Sequence, residues 1–267
     1  MADLPPDLPA GLSTDADWET WGRNDPYFAV ITHERFRRAV MDDAAREEFF
    51  RSGRTDVKFA MDVIHMFVDP AFKPRSVLDF GCGVGRLVAA FAAMAPDVMG
   101  VDISPSMLRE ARNNCDALGF PAVALEVADD ELSRVQREFD MVYSSIVFQH
   151  IPVERVRVIF ASLIRRLAPG GVGALHFLYS KSTYADTHGL PPPAPAPPMP
   201  AEPTVVAAPD IVSESRPLNP VMQMNPFPMN TALFIMQKAG ITRFHVEFTD
   251  HGGEMGAFVF FKKPRAT

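Results

Sequence analysis

Val77-Leu78-Asp79-Phe80-Gly81-Cys82-Gly83-Val84-Gly85-Arg86 decides how this chain is read. Residues 76–80 form a short apolar run, the texture of a strand covered on both faces. The three glycines that follow let the backbone turn tightly and come close to a ligand. Residues 87–95 continue as an apolar helix whose first N–H groups can face negative charge. A second strand, 97–102, ends in Asp102, 21 residues beyond Gly81. That is about the distance at which an acid meets ribose hydroxyls in nucleotide-binding folds. A Gly-x-Gly alone is a weak signal; strand, glycine turn, helix, strand and terminal acid together are a strong one.

The same alternation continues outward. A helix is expected over 105–118, a strand over 122–127, a strand over 139–144, a helix over 153–167 and a fifth strand over 173–179. Residues 230–239 read as a helix. Strands 241–249 and 257–262 flank Gly252-Gly253, which marks an antiparallel hairpin. The expected fold is α/β: a doubly wound, Rossmann-like, seven-stranded sheet with a C-terminal hairpin and an N-terminal helical extension. Ligands of such sheets bind beyond the carboxyl ends of the strands.

Two regions stand outside this pattern. Residues 34–50 and 56–68 read as two amphipathic helices separated by Gly53 and ended by Pro70 and Pro74. Ahead of them, the turn-rich stretch 17–28 holds both tryptophans, Trp18 and Trp21, to plug a core or to cover a site. Thirteen of the 25 prolines fall between Pro191 and Pro228, and 190–198 should run as an extended polyproline-like stretch. The expected division is a helical cap (1–74), a binding core (75–180), a proline-rich insertion serving as lid or linker (181–228) and a completion of the sheet (229–267).

Composition narrows the function. Lysine and arginine number 26 against 33 acids, a net charge of −7 and a pI near 5.5, the wrong sign for a nucleic-acid partner. Two cysteines, Cys82 and Cys115, cannot build a disulfide framework and suit a reducing compartment. The start lacks the basic residues and apolar run of a secretory signal, and no stretch is long and apolar enough to span a membrane. A cytoplasmic protein without a membrane partner is expected. His188, His245 and His251 have no acidic or thiolate partners at ligand spacing, so no metal site is expected.

The ligand follows from the turn. A dinucleotide fingerprint places glycines at one, three and six; here they fall at one, three and five, and the sixth position is Arg86. Asp79 would repel a pyrophosphate but suits an ammonium group. S-adenosylmethionine, with its ammonium, carboxylate, ribose and adenine, meets these demands better than NAD. Residues 77–86 resemble motif I of the class I S-adenosylmethionine-dependent methyltransferases, and Val101-Asp102-Ile103-Ser104 is similar to their second motif. Residues 139–145 with Phe148-Gln149-His150-Ile151-Pro152 resemble the fourth-strand motif, and Leu167-Ala168-Pro169-Gly170-Gly171-Val172 the turn before strand five.

That resemblance implies a small-molecule methyltransferase acting on oxygen or nitrogen. It implies that Asp79 and the loop Gly81, Cys82, Gly83 and Gly85 hold the methionine part. Asp102 would take the ribose and Ile103 the adenine face. Asp129, or Asp130 in the alternative register, would take the adenine amino group, and Ser144 and Ser145 would line the pocket near the sulfonium. Arg86, at a helix N-terminus, opposes the macrodipole and calls for a carboxylate, the cofactor's or a side chain's. His150 is the candidate base or substrate orienter, with helix entry before Pro152 as its alternative use. His176 is expected as packing.

Asn225-Pro226-Phe227-Pro228 is similar to the Asn-Pro-Pro-aromatic motif of amino-methylating nucleic-acid enzymes, but it lies far from strand four and supports no DNA substrate. The competing readings are a nicotinamide-dependent oxidoreductase, which the glycine spacing disfavours, and a non-catalytic S-adenosylmethionine-binding regulator.

Overall fold

The computed structural model describes residues 14–181 and 220–265. The expected polyproline stretch and most of the 181–228 insertion lie outside the described residues, as does His188.

Seven strands form one sheet in the order β3-β2-β1-β4-β5-β7-β6. They are β1 (Ser76–Phe80), β2 (Asp97–Asp102), β3 (Ala124–Val127), β4 (Phe139–Ser144), β5 (Leu167–Ser180), β6 (Phe244–Asp250) and β7 (Met255–Lys262). The first five run parallel and β7 is antiparallel to both neighbours. The order reverses between β1 and β4, so a crevice opens above the ends of β2, β1 and β4. Both faces of β1 are covered, which is why its sequence is apolar without alternation. Val77 packs with α3 (Asp43–Val63), α4 (Arg86–Ala92) and α5 (Pro105–Ala117) on one side. Leu78 packs with α6 (Val153–Arg166) and α7 (Met229–Lys238) on the other.

The N-terminal region differs from its reading. The stretch holding the tryptophans is helical, α1 (Asp15–Asn24) and α2 (Pro26–Val30), and only a single 3-10 turn forms at Glu34–Phe36. Helix α3 then runs unbroken through Gly53 and ends in a π turn, Ile64–Val68. Gly53 is therefore no separator. A Cβ there would lie 2.6 Å from the Arg86 carbonyl oxygen, so the missing side chain lets α3 cross α4 at close range. Strand β5 also begins earlier than expected: the Gly170-Gly171 turn is absorbed as a register shift between Phe139↔Leu167 and Met141↔Val172.

Helix α1 is fastened to the core by Glu19. Its carboxylate accepts from Ser104 Oγ at 2.7 Å, Ser106 Oγ at 2.6 Å and Ser106 N–H at 3.0 Å, at the start of α5. Burial alone would raise its pKa, but the serine hydrogen bonds outweigh it and bring the group down to about 2. Tyr27 of α2 makes a second attachment to α5, donating to Glu110 at 2.5 Å and lying 2.9 Å from Asn114 Oδ1.

Gly53→Val should cost about 1–3 kcal/mol, the usual penalty of overpacking, despite leaving a glycine-free helix. Chemical denaturation measures it; unchanged stability would show that the α3–α4 approach is not tight.

Candidate active site

The glycine loop is built by backbone bonds that only this sequence allows. Gly81 and Cys82 both donate their N–H to the Val101 carbonyl, at 2.8 and 3.0 Å, bending the chain over the end of β2. Gly81 sits at φ +73°, and a Cβ there would come within 2.5 Å of the Val147 methyls. Val147 reaches that place through Ile146, a β-branched residue held at φ +59°. Such strain is tolerated where the surroundings over-determine it, commonly at sites of function. No sequence signal marks Ile146.

Above the loop lies a cavity of about 660 Å³, within the range of small-molecule sites. Of the residues expected to bind the cofactor, Gly81, Cys82, Gly83, Arg86, Asp102, Ile103, Asp129, Asp130 and Ser145 line it, and so does His150. Three others do not. Gly85 caps α4 at φ +83° instead. Ser144 is fully buried and donates to the Phe80 carbonyl at 2.9 Å, tying β4 to β1 rather than facing the cavity, which corrects its expected role. Asp79 is 1% exposed and lies beneath the loop, not in the wall.

Asp79 and Arg86 form a buried pair of opposite orphans. Asp79 Oδ2 meets no donor, and Arg86 Nε meets no acceptor. Arg86 Nη1 is committed, donating to Asp56 at 2.6 Å and to Ser52 at 3.0 Å. Its carboxylate partner is thus a side chain of α3, and the pair is buried on the arginine side rather than lying on the surface. An unmatched acceptor and an unmatched donor at the base of a glycine cradle fit a zwitterionic amino-acid moiety. Asp102 accepts from Gly83 N–H at 2.8 Å and Ser104 N–H at 2.9 Å, so the acid expected at the ribose also shapes the loop.

The two register candidates after β3 are used differently. Asp129 accepts from Ser133 N–H at 2.8 Å, and this bonding outweighs burial to hold its pKa down. Asp130 is gripped by Arg155 through Nε at 2.9 Å and Nη2 at 2.8 Å, while Arg155 Nη1 reaches Asp15 of α1 at 2.7 Å. Arg155 was not foreseen; its signal would have been a basic residue at the mouth of α6, too common to single out.

His150 closes a one-turn helix after β4 and packs its ring 4.9 Å from Trp18. Its Nδ1 lies 2.8 Å from the Gln223 carbonyl. A carbonyl only accepts, so Nδ1 carries the proton and Nε2 keeps its lone pair. Burial pushes the ring down to about 4, leaving it neutral at ordinary pH. The two tryptophans divide the roles foreseen for them: Trp21 is buried near Phe28, and Trp18 lines the cavity. Met222 and Met224 line the far wall, on a segment held by Asn225 N–H to the Gln149 carbonyl and Phe227 N–H to Leu178. The β6–β7 turn brings in His251 and Glu254. His176 is buried against Thr249 as packing, and His245 pairs with Glu247 at 2.6 Å, an acidic partner its reading had missed.

A family described as a methyltransferase domain matches residues 77–171, the stretch that builds this cradle. The match agrees, over that stretch, with the resemblance to class I S-adenosylmethionine-dependent methyltransferases. The family matched is one of methyltransferases, which favours S-adenosylmethionine over the nicotinamide alternative. A trans-aconitate 2-methyltransferase of Methylobacterium radiotolerans is 37% identical over 108 residues, covering 40% of this chain and 39% of that protein. A ubiquinone biosynthesis O-methyltransferase of Methylococcus capsulatus is 32% identical over 36% of this chain and 40% of its own length. The chain thus aligns with well under half of these curated relatives. The fold extends further. The magnesium protoporphyrin IX methyltransferase of Synechocystis PCC 6803, solved with the cofactor bound, superposes over 97% of this chain and 100% of its own, with a TM-score of 0.58 at 16% identity.

Burial pushes Asp79 up to about 8, and the nearby Asp102 adds to the effect while Arg86 opposes it. A carboxyl raised in the folded state binds protons that the unfolded chain releases. Its stabilising contribution is therefore complete below about pH 4 and is lost as pH rises toward 8. Asp79→Asn, which does not ionise, should gain stability relative to the native protein as pH rises through that window. Denaturation curves at several pH values test this, and a constant difference between the two proteins would refute it.

Proposed function

We propose that this protein transfers a methyl group from S-adenosylmethionine to an oxygen or nitrogen of a small-molecule acceptor. The observation that carries the reading is one continuous cavity: it begins at the glycine loop and Asp102 and ends at His150, Met222 and Met224. When bound, S-adenosylmethionine supplies a methyl group already activated on a cationic sulfur. The protein's work is then to position and to exclude water. The unmatched Arg86 Nε, on a residue that lines the cavity, supports holding the carboxylate end of the methionine part, while Asp79, beneath the loop, would shape the local charge rather than touch the ligand. Asp102 would share its carboxylate between the loop and the ribose, Ile103 would pack on the adenine, and Asp129, which accepts from Ser133 through both oxygens, or Asp130, held by Arg155, would take the adenine amino group. Ser145 borders the reacting region.

His150 suits orientation better than proton removal. A group held near 4 is a weak base at neutral pH, and general-base catalysis favours a pKa near the working pH. Its Nε2 would accept a hydrogen bond from the acceptor and steer the nucleophilic lone pair. The cap (1–74), binding core (75–180), insertion (181–228) and sheet completion (229–267) would divide the labour. The core would take the cofactor, and its neighbours would shape the acceptor end. The curated relatives are named for different acceptors on a shared domain, so the acceptor does not transfer from them.

Calorimetric titration should show saturable binding of S-adenosylhomocysteine and none of NADH. Asp102→Ala should weaken that binding by about 1–3 kcal/mol through lost hydrogen bonds, with Asp102→Asn intermediate. Binding of NADH alone, or an unaffected Asp102→Ala protein, would overturn the assignment. For His150→Ala, S-adenosylhomocysteine affinity should persist while turnover falls. Parallel losses of thermal stability and turnover would instead assign His150 to helix entry.

A further inference from the structure

The far half of the cavity has a chemical bias that methyl transfer alone does not require. Among the described lining residues the only permanent cations are Arg86 and Arg155, against six carboxylates. Both arginines are already answered. Arg86 faces Asp56 through Nη1, and its unmatched Nε belongs to the cofactor half, beside the glycine loop. Arg155 is held between Asp130 and Asp15. A wall of this charge focuses a negative potential into the cavity.

Away from the glycine loop, several acceptors line the cavity. Gln149 is 7% exposed, lines the cavity, and its Oε1 meets no donor. A buried acceptor left unmatched costs on the order of 1–3 kcal/mol, so Gln149 points to a ligand that brings an N–H or O–H. His150 offers the Nε2 lone pair, since Nδ1 is spent on the Gln223 carbonyl. Glu254 adds a half-buried carboxylate from the β6–β7 turn. Leu178, Met222 and Met224 supply apolar surface between them, the methionines adapting to shape.

We infer that the methyl acceptor is a basic amine with an apolar body, methylated on nitrogen, and recognised by Gln149 Oε1, His150 Nε2 and Glu254. The inference rests on the methyl-transfer reading above and narrows it to one acceptor class. An acceptor with several carboxylates would find no uncommitted cation among the described residues of this half. The amine enters the reaction as its free base, having lost a proton to water. Its lone pair forms the new N–C bond while the S–C bond of the donor breaks, leaving that electron pair on sulfur. Positive charge passes from sulfur to the product ammonium, and no further proton need move. The neutral ring of His150 accepts one N–H and turns the lone pair toward the methyl.

The test titrates the protein, saturated with S-adenosylhomocysteine, with 2-phenylethylamine, 2-phenylethanol, 3-phenylpropanoate and trans-aconitate. Mass spectrometry of each compound follows after incubation with S-adenosylmethionine. The amine should bind at least about fivefold tighter than the others, and Glu254→Gln should remove that preference while leaving S-adenosylhomocysteine affinity within about twofold, as expected for one charge-assisted hydrogen bond in a half-exposed site. Gln149→Met should act in the same direction. An N-methyl product would add direct support. Tighter binding of either carboxylate, equal binding of the series, binding of none, or an amine preference that survives both variants would overturn the inference. Failure of S-adenosylhomocysteine itself to bind would overturn the methyl-transfer reading beneath it, so the two failures are distinct.

Discussion

The structure turns on the few ångströms of backbone between the end of β1 and the start of α4. Two successive N–H groups share the Val101 carbonyl, and Asp102 takes the next from Gly83. The chain can follow that path only if Gly81 lacks a side chain, because Val147 fills the space a Cβ would need. The rest depends on it. The loop fixes where α4 begins, α4 carries Arg86 inward, and Arg86 meets Asp56 on a helix that Gly53 allows to lie close. The shape of the loop is the product of these contacts, not of any single residue.

Carboxylates in and beside the cavity have structural work. Asp102 holds the loop, Asp130 is committed to Arg155, and Glu19 secures the first helix to the start of α5. The first helix is fastened on both sides of the cavity: to α5 through Glu19 and to α6 through Asp15 and Arg155. Arg155 is mostly buried between two carboxylates, a geometry in which removing one partner costs far more than the pair contributes.

The strands and the glycine turn were the legible part of the sequence because they depend on local rules. Residues 77–86 and Asp102 announce themselves by glycine spacing and a terminal acid. The antiparallel hairpin is announced by Gly252-Gly253 between two apolar runs. What sequence reasoning missed depends on contacts across the fold. Gly53 looks like a helix breaker until Arg86 is seen packed against it. Ser144 looks like a pocket residue until its hydroxyl is seen bonded to the Phe80 carbonyl on the neighbouring strand. Trp18 and Trp21 are three residues apart, yet one faces the cavity and the other the helical cluster around Phe28. Helical phase decides between them, and the stretch had read as turns. Arg155 and Ile146 had no readable signal, since one depends on two remote acids and the other on a backbone angle.

The origin of the cavity wall has its own consequence. The family match spans residues 77–171, yet Trp18, Met222, Met224, His251 and Glu254 all come from outside it. The wall opposite the glycine loop is therefore drawn from both sources, Gln149 and His150 from the matched stretch and the others from the segments that flank it. Substitutions in the flanking segments can reshape that wall while leaving the glycine loop as it is.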